Sequence, residues 1–120
     1  MNSNVLVLKL DLVKAFDRVN WTFIRLLFIQ IGIPLLGVNW IMGCVSSSCF
    51  AVLVNGSPSD FFLASRGLRQ GCPLSPLLFI LIMESLSRII LDAQHKGCIK
   101  GFRYSPLLSI THFYLWMMLF

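Results

Sequence analysis

The composition of this 120-residue chain is strongly apolar: 57% of its residues are hydrophobic, 12% are charged, and the mean hydropathy is +0.80. The length limits the chain to one domain, which is large enough for a real core. A domain with this apolar a composition either touches a membrane or is covered by neighbouring parts of a larger protein. The longest apolar run, from Leu77 to Met83, is too short to span a bilayer and no signal peptide is visible, which favours a part of a larger protein without membrane contact.

The charges and cysteines narrow the function classes further. The net charge of +5 comes from scattered Lys and Arg residues, so it permits a polyanionic partner without identifying one. The cysteines form no CxxC pair and do not cluster with His95 or His112, which favours reduced thiols in an intracellular protein over zinc ligands or disulfides. They are Cys44, Cys49, Cys72 and Cys98.

The opening stretch predicts a buried strand that ends on a carboxylate. An apolar run of β-type residues begins at Val5 and reaches Asp11. A second carboxylate, Asp17, follows six positions after Asp11 and comes directly after Phe16. A rigid strand end suits a metal ligand, because hard cations need carboxylate oxygens held in place. Taken alone, the segment also fits a helix-capping Asp11 and a solvated turn residue at Asp17.

Two helices and a hairpin are predicted next. Asn20 is a suitable N-cap for a helix that Gly32 and Pro34 end, and a second helix is expected from Leu36 to about Ser46. The Asn55-Gly56 dipeptide lies between two apolar runs and predicts a hairpin, since both residues tolerate positive φ.

The second half of the chain is organised by a loop and a long helix. The stretch 66–76 is a loop by composition, and it leads into a helix from about Leu77 to Lys96 with Ser75 as its cap. A strand from Ile99 to Tyr104 and a turn at Ser105-Pro106 follow. Helices and antiparallel strands in this order predict an α+β fold.

Two segments resemble a known family. Asp11–Val19 reads DLVKAFDRV and resembles the first catalytic motif of reverse transcriptases from LINE-type non-LTR retrotransposons. Arg66–Phe79 reads RGLRQGCPLSPLLF and is similar to the second palm motif of these enzymes. The resemblance implies that residues 1–120 form a partial polymerase palm, an antiparallel sheet packed on helices, with a first motif at 5–19 and a second at 66–79. The fingers would be incomplete, their strands preceding Met1, and the thumb would follow Phe120.

The resemblance also implies a polymerase site. It makes Asp11 a Mg²⁺ ligand, with possible help from the backbone carbonyl of Leu12, whereas Asp17 is expected to make a structural hydrogen bond. Phe16 would lie beneath the incoming sugar and exclude a ribose 2′-hydroxyl. Gln70 would contact the pair of template and nucleotide, beside Gly71, where the backbone approaches a ligand closely. The partners would be an RNA template and a DNA primer, in the nucleus if the retroelement is functional.

The third catalytic motif of the family should occupy residues 113–120, but this stretch contains no carboxylate. Trp116-Met117-Met118 must be encoded TGG-ATG-ATG, which contains GAT-GAT, the codons of the expected Asp-Asp, in another frame. We therefore interpret the tail as a frameshifted third motif in a degenerate, pseudogene-like retroelement copy, and we expect the fragment to be an inactive RNA-directed DNA polymerase.

Two other function classes remain open. A catalytically dead nucleic-acid-binding remnant would keep the basic surface, although no aromatic stacking platform interleaved with Lys and Arg stands out. A membrane-associated protein is favoured by the mean hydropathy alone. Solubility without detergent and salt-dependent binding to a template–primer duplex separate these classes.

Overall fold

The computed structural model describes residues 6–112. These residues form an α+β arrangement, as predicted, and divide into two compact units, Asp11–Ile82 and the residues 6–10 with 83–112. The elements in chain order are α1 (Trp21–Gln30), α2 (Leu35–Ser46), β1 (Cys49–Phe50), β2 (Leu53–Val54), β3 (Ser57–Pro58), β4 (Phe62–Leu63), α3 (Leu74–His95), β5 (Phe102–Ser105) and β6 (Leu108–Ile110).

The predicted buried opening strand is wrong. Residues 6–12 form neither helix nor strand, and their apolar side chains are exposed, Leu6 at 91% and Leu8 at 74%. A strand needs a neighbouring strand to exchange backbone hydrogen bonds with it, and in the described part of the chain no segment pairs with these residues. Strand-forming residues alone therefore do not produce a strand here.

Helix α1 begins where its cap predicts. The Asn20 backbone is extended (φ −84°, ψ 124°), and its side-chain oxygen accepts hydrogen bonds from the backbone amides of Thr22 (2.8 Å) and Phe23 (3.3 Å). These bonds satisfy amides that the first helical turn leaves without an intrahelical acceptor. The helix ends at Gln30 with Ile31 as its C-cap, and Gly32, the next residue, has a φ of +87° that suits glycine.

The core of the unit Asp11–Ile82 is small. Ile24 and Phe28 lie four residues apart on α1 and are each 1% exposed, and α1 packs on α2 through its fully buried Val38. The buried hydrophobic residues of the described chain are Val19, Ile24, Phe28, Val38, Leu68 and Leu78. Many other large apolar side chains are exposed, which agrees with the apolar composition.

The predicted hairpin is confirmed. Its turn consists of Asn55 (φ 51°) and Gly56 (φ 81°), so both residues have the positive φ that a tight two-residue hairpin turn requires. The adjoining strands β2 and β3 are antiparallel, with Val54 opposite Ser57, and the outer strands β1 and β4 pair with Phe50 opposite Phe62. The hairpin therefore spans residues 49–63.

Helix α3 is longer than predicted at its N-terminal end. It begins at Leu74, so Ser75 is not the cap but lies in the first turn, where it is 4% exposed. At its C-terminal end Gly97 has φ +75°, and the amide of Cys98 donates to the carbonyl of Ala93 (2.9 Å), a typical glycine-terminated helix end.

By length and composition α3 is also able to cross a membrane. With 22 residues, the helix is longer than the uninterrupted apolar run from Leu77 to Met83, because it continues beyond Glu84. One such helix is weak evidence, since the core helix of a soluble protein has the same properties. Near its middle, Glu84 and Arg88 form an exposed ion pair at 2.8 Å. The absence of membrane contact stays a prediction.

The unit formed by residues 6–10 and 83–112 contains the later part of α3 and the hairpin β5–β6. Phe102 lies opposite Ile110 and Arg103 opposite Ser109. Ser87 Oγ on α3 lies 2.6 Å from Nε2 of His112, the residue just after the hairpin. The strand predicted from Ile99 to Tyr104 is thus confirmed with shifted ends, and it pairs across the predicted turn.

Candidate nucleotide and template site

The first motif forms a turn rather than the end of a strand. Residues 13–18 turn tightly, Lys14 has φ 51°, and the Arg18 amide donates to the Lys14 carbonyl at 3.2 Å. Asp11 and Asp17 are both exposed, whereas Phe16 between them is half-buried. The turn therefore directs its aromatic residue inward and leaves both carboxylates in solvent.

Three hydrogen bonds, which we call the latch, join this turn to the start of the second motif. The Gly67 amide donates to the Val19 carbonyl (2.8 Å), and the Leu68 amide donates to the Phe16 carbonyl (2.8 Å). The Trp21 indole Nε1–H donates to the Gly67 carbonyl (2.7 Å). Two backbone hydrogen bonds and one from the Trp21 side chain thus connect the two motifs, which are about fifty positions apart in the chain.

Only glycine fits at the centre of the latch. Gly67 has φ +91°, and an added Cβ would lie 2.9 Å from the Asp17 carbonyl oxygen and 3.1 Å from the Asp17 Cα. Both neighbours are backbone atoms, which cannot swing aside as a flexible side chain would. The roles of Gly67 and Trp21 could not be predicted, because nothing local in the sequence shows which distant backbone a glycine must approach.

Phe16 also contacts the second motif through its ring. The ring stacks on Phe79 of α3, with centroids 4.8 Å apart and planes 16° from parallel. Phe16 is therefore fixed on one side by packing and at its carbonyl by the latch. The structure brings this predicted nucleotide-binding residue directly to the second motif.

Gln70 and Gly71 lie in an exposed turn before α3. Gly71 has φ +82°, and an added Cβ would meet no atom within 4 Å. Glycine is thus suited to this position by its backbone conformation, and the space above it is open. The close approach of a ligand at Gly71 and the contact of Gln70 with template and nucleotide stay predictions.

Cys72 follows this turn and is half-buried. The backbone amide of Leu74, hydrogen-bonded to its sulfur, is the main cause of a pKa below the ordinary value of a cysteine thiol. Partial burial raises the pKa and so opposes this effect, while hydrogen bonds from Ser75 and the nearby charge of Arg69 add to it. No local sequence pattern indicates an activated thiol, because the effect depends on the helix start at Leu74.

Residues 1–113 match the family described as reverse transcriptase (RNA-dependent DNA polymerase). The chain belongs to this family. The match covers both motifs and the latch between them, so the family assigned from the motifs is confirmed. No solved structure matches this reverse transcriptase segment.

Curated relatives of this reverse transcriptase segment include an uncharacterised mitochondrial protein of Arabidopsis thaliana, 51% identical over 53 residues, which are 44% of this chain and 43% of the relative. The Pol polyprotein from the type-1 retrotransposable element R2 of Popillia japonica is 37% identical over 88% of this chain and 15% of its own length. That from the type-2 element R2DM of Drosophila melanogaster is 32% identical over 70% of this chain and 8% of its own length. The chain thus spans less than half of each relative, and the similarity to R2 elements agrees with the predicted non-LTR origin.

Reverse transcriptases generally use a divalent metal, and the described residues do not form a site for one. Asp11 lies on an exposed, irregular segment, and no group of three or more His, Cys, Asp or Glu side chains that could hold a metal occurs in residues 6–112. The Asp17 carboxylate makes no hydrogen bond there, contrary to the structural bond expected of it. The predicted frameshifted third motif, residues 113–120, lies outside the described residues.

Proposed function

We propose that the chain is a segment of an RNA-directed DNA polymerase of a non-LTR retrotransposon, which copies RNA into DNA. The observation that supports this best is the latch, since it joins the two polymerase motifs through Gly67, Leu68 and Trp21. In the proposed reaction a primer 3′-hydroxyl attacks the α-phosphorus of a deoxynucleotide, a new P–O bond forms, and pyrophosphate leaves. RNA template and DNA primer are the partners.

Three residues are proposed to bind nucleotide and template. Phe16 would lie against the incoming sugar and reject a ribose 2′-hydroxyl sterically, a role that fits a ring held in place by Phe79. Gln70 would contact the pair formed by template and nucleotide with its amide. Gly71 would let the backbone approach that pair, and the open space above it is compatible with this role.

The metal chemistry is proposed to be incomplete in this chain. Two divalent cations supply charge neutralisation in two-metal nucleotidyl transfer. Asp11 and the Leu12 carbonyl would contribute to one cation, but a single carboxylate on an exposed segment does not make a site. Catalytic groups that act as a unit fail together, so we propose that this chain has no polymerase activity as it stands.

Primer extension on an RNA template with Mg²⁺ or Mn²⁺ tests the proposal. We expect no extension by the 120-residue chain, and extension by a longer polypeptide in which the frame after His112 is restored and both flanks are added. Asp11→Ala should abolish that activity, while the control Asp60→Ala, which removes an exposed carboxylate from the hairpin, should keep it. Extension by the 120-residue chain above a mock purification would contradict the proposed inactivity. Equal activity of the two variants would contradict the role of Asp11.

A catalytically dead nucleic-acid-binding remnant is the second candidate. The net charge of +5 favours it, because basic proteins bind the phosphate backbone through counterion release. Binding of template–primer duplex that weakens steeply with salt, together with no extension by the restored, flanked polypeptide, would favour this candidate over the polymerase.

A further inference from the structure

A cavity of about 190 Å³ lies beside the latch and contains two arginines. It is lined by the end of α2, by the hairpin and by the start of the second motif. Its lining includes Asp17, Ser48, Phe50, Arg66, Gly67 and Arg69. We call it the arginine cavity. Its size accommodates a phosphate group and part of the sugar attached to it.

The two arginines of the arginine cavity have no ion-pair partner among the described residues. Neither Arg66 nor Arg69 forms an ion pair or donates a side-chain hydrogen bond to any of the residues described, although Asp17 lines the same cavity. Arg25 and Arg88 do have side-chain partners: Arg25 donates to Asn39 at 2.8 Å, and Arg88 pairs with Glu84 at 2.8 Å. The lining of the cavity therefore includes two exposed arginines and one exposed aspartate, whose formal charges sum to +1.

These groups suit a phosphate. A guanidinium presents N–H donors in a planar fork that matches two phosphate oxygens, and it holds its charge at all relevant pH values. Ser48, whose side chain carries a hydroxyl donor, also lines the cavity. The latch keeps the backbone of the second motif fixed at Gly67, so the flanking arginines start from a defined position.

We propose that the arginine cavity binds a phosphate group of a nucleic-acid partner through Arg66 and Arg69, and that Asp17 weakens this binding. The inference rests on the proposed function, which supplies the polyanionic partner. The phosphate could belong to the backbone of a strand or to a free deoxynucleoside triphosphate, and the test separates these two sources.

The test measures binding of a fluorescently labelled, unstructured uridine RNA to the full chain, carried on an uncharged solubility partner, as the KCl concentration is varied. Each phosphate contact on a single strand contributes about 0.7 to the slope of log affinity against log salt. Because both arginines are proposed to bind the same phosphate, the double variant Arg66→Gln/Arg69→Gln should lose about 0.7 from this slope. The matched double variant Arg25→Gln/Arg88→Gln removes the same charge outside the cavity and should keep the wild-type slope.

Asp17→Asn should change the RNA affinity in the opposite direction to the arginine variant. Removing the carboxylate should tighten RNA binding several-fold at low salt, a gain that a damaged fold would not produce. Equal slopes for the two double variants, or no gain with Asp17→Asn, would overturn the proposal. Circular dichroism of each variant shows whether the helices are kept.

Free thymidine triphosphate identifies the source of the phosphate. If a strand supplies it, wild-type chain and the Arg66→Gln/Arg69→Gln variant should bind the triphosphate equally; if the nucleotide supplies it, the variant should bind it about tenfold more weakly. The polymerase function alone would be contradicted by two results together. The salt slopes of the two double variants differ as expected, but the longer polypeptide with the restored frame and both flanks does not extend primers. Wild-type chain that binds neither RNA nor triphosphate would contradict the phosphate site alone.

Discussion

Replacing Gly67 with alanine should disrupt the latch. An alanine at φ +91° costs about 1–2 kcal/mol because its Cβ crowds its own backbone. The added Cβ would also lie 2.9 Å from the Asp17 carbonyl oxygen, so the second motif must move away. That movement weakens the 2.8 Å bonds made by the amides of Gly67 and Leu68, each worth about 0.5–1.5 kcal/mol. If both bonds are lost, the total loss of unfolding free energy should be about 2–5 kcal/mol.

Gly71→Ala is the matched control. Gly71 also has positive φ (+82°), but an added Cβ meets nothing within 4 Å, so only the backbone cost of about 1–2 kcal/mol is expected. Pulse proteolysis in increasing urea, on the chain fused to a soluble carrier, measures both variants. Equal shifts of the urea midpoint for Gly67→Ala and Gly71→Ala would refute the argument from close approach. Hydrogen exchange at the Gly67 and Leu68 amides, accelerated only in Gly67→Ala, would locate the damage.

Four further outcomes are expected. Asn20→Ala should lower the free energy of unfolding by about 1 kcal/mol in the same proteolysis assay, because two amides of α1 lose their acceptor, and an unchanged midpoint would contradict the cap. Cys72 should react with iodoacetamide faster than the other three cysteines near neutral pH, because its lowered pKa leaves more thiolate; peptide mapping by mass spectrometry that finds equal rates would show otherwise. For the same reason the Cys72 contribution to stability should be present at high pH and be lost as the pH falls through its folded-state pKa, a dependence that Cys72→Ser should abolish. The chain alone should associate in solution through its exposed apolar side chains, so a monodisperse monomer in sedimentation with a cooperative melt would contradict this.

Features fixed by neighbouring residues could be predicted from the sequence. Asn20 caps α1 because its side chain reaches amides two and three positions later, and Asn55-Gly56 turns the chain because both residues accept positive φ. The α+β class followed from such local signals. The start of α3 was predicted too late, at about Leu77, because a serine before a proline resembles a cap, whereas the helix already begins at Leu74.

Features fixed by distant residues could not be predicted. The apolar run ending at Asp11 resembles a strand, but pairing depends on a partner that no local pattern specifies. The latch joins Trp21 to Gly67 and Phe16 to Leu68, so only the folded chain reveals it. The motif residues themselves were found by family resemblance, and the metal-binding role of Asp11 stays a prediction.

The latch has a consequence for how this sequence tolerates insertion. Trp21 and Gly67 are 46 positions apart, so the latch closes a loop that contains α1, α2 and the hairpin. The entropy of closing such a loop grows only logarithmically, and doubling its length costs about 0.6 kcal/mol. New residues placed at the exposed Asn55-Gly56 turn would thus leave the junction of the two motifs almost unaffected. In this chain, insertions at that turn are therefore expected to leave Gly67 and its backbone contacts in place.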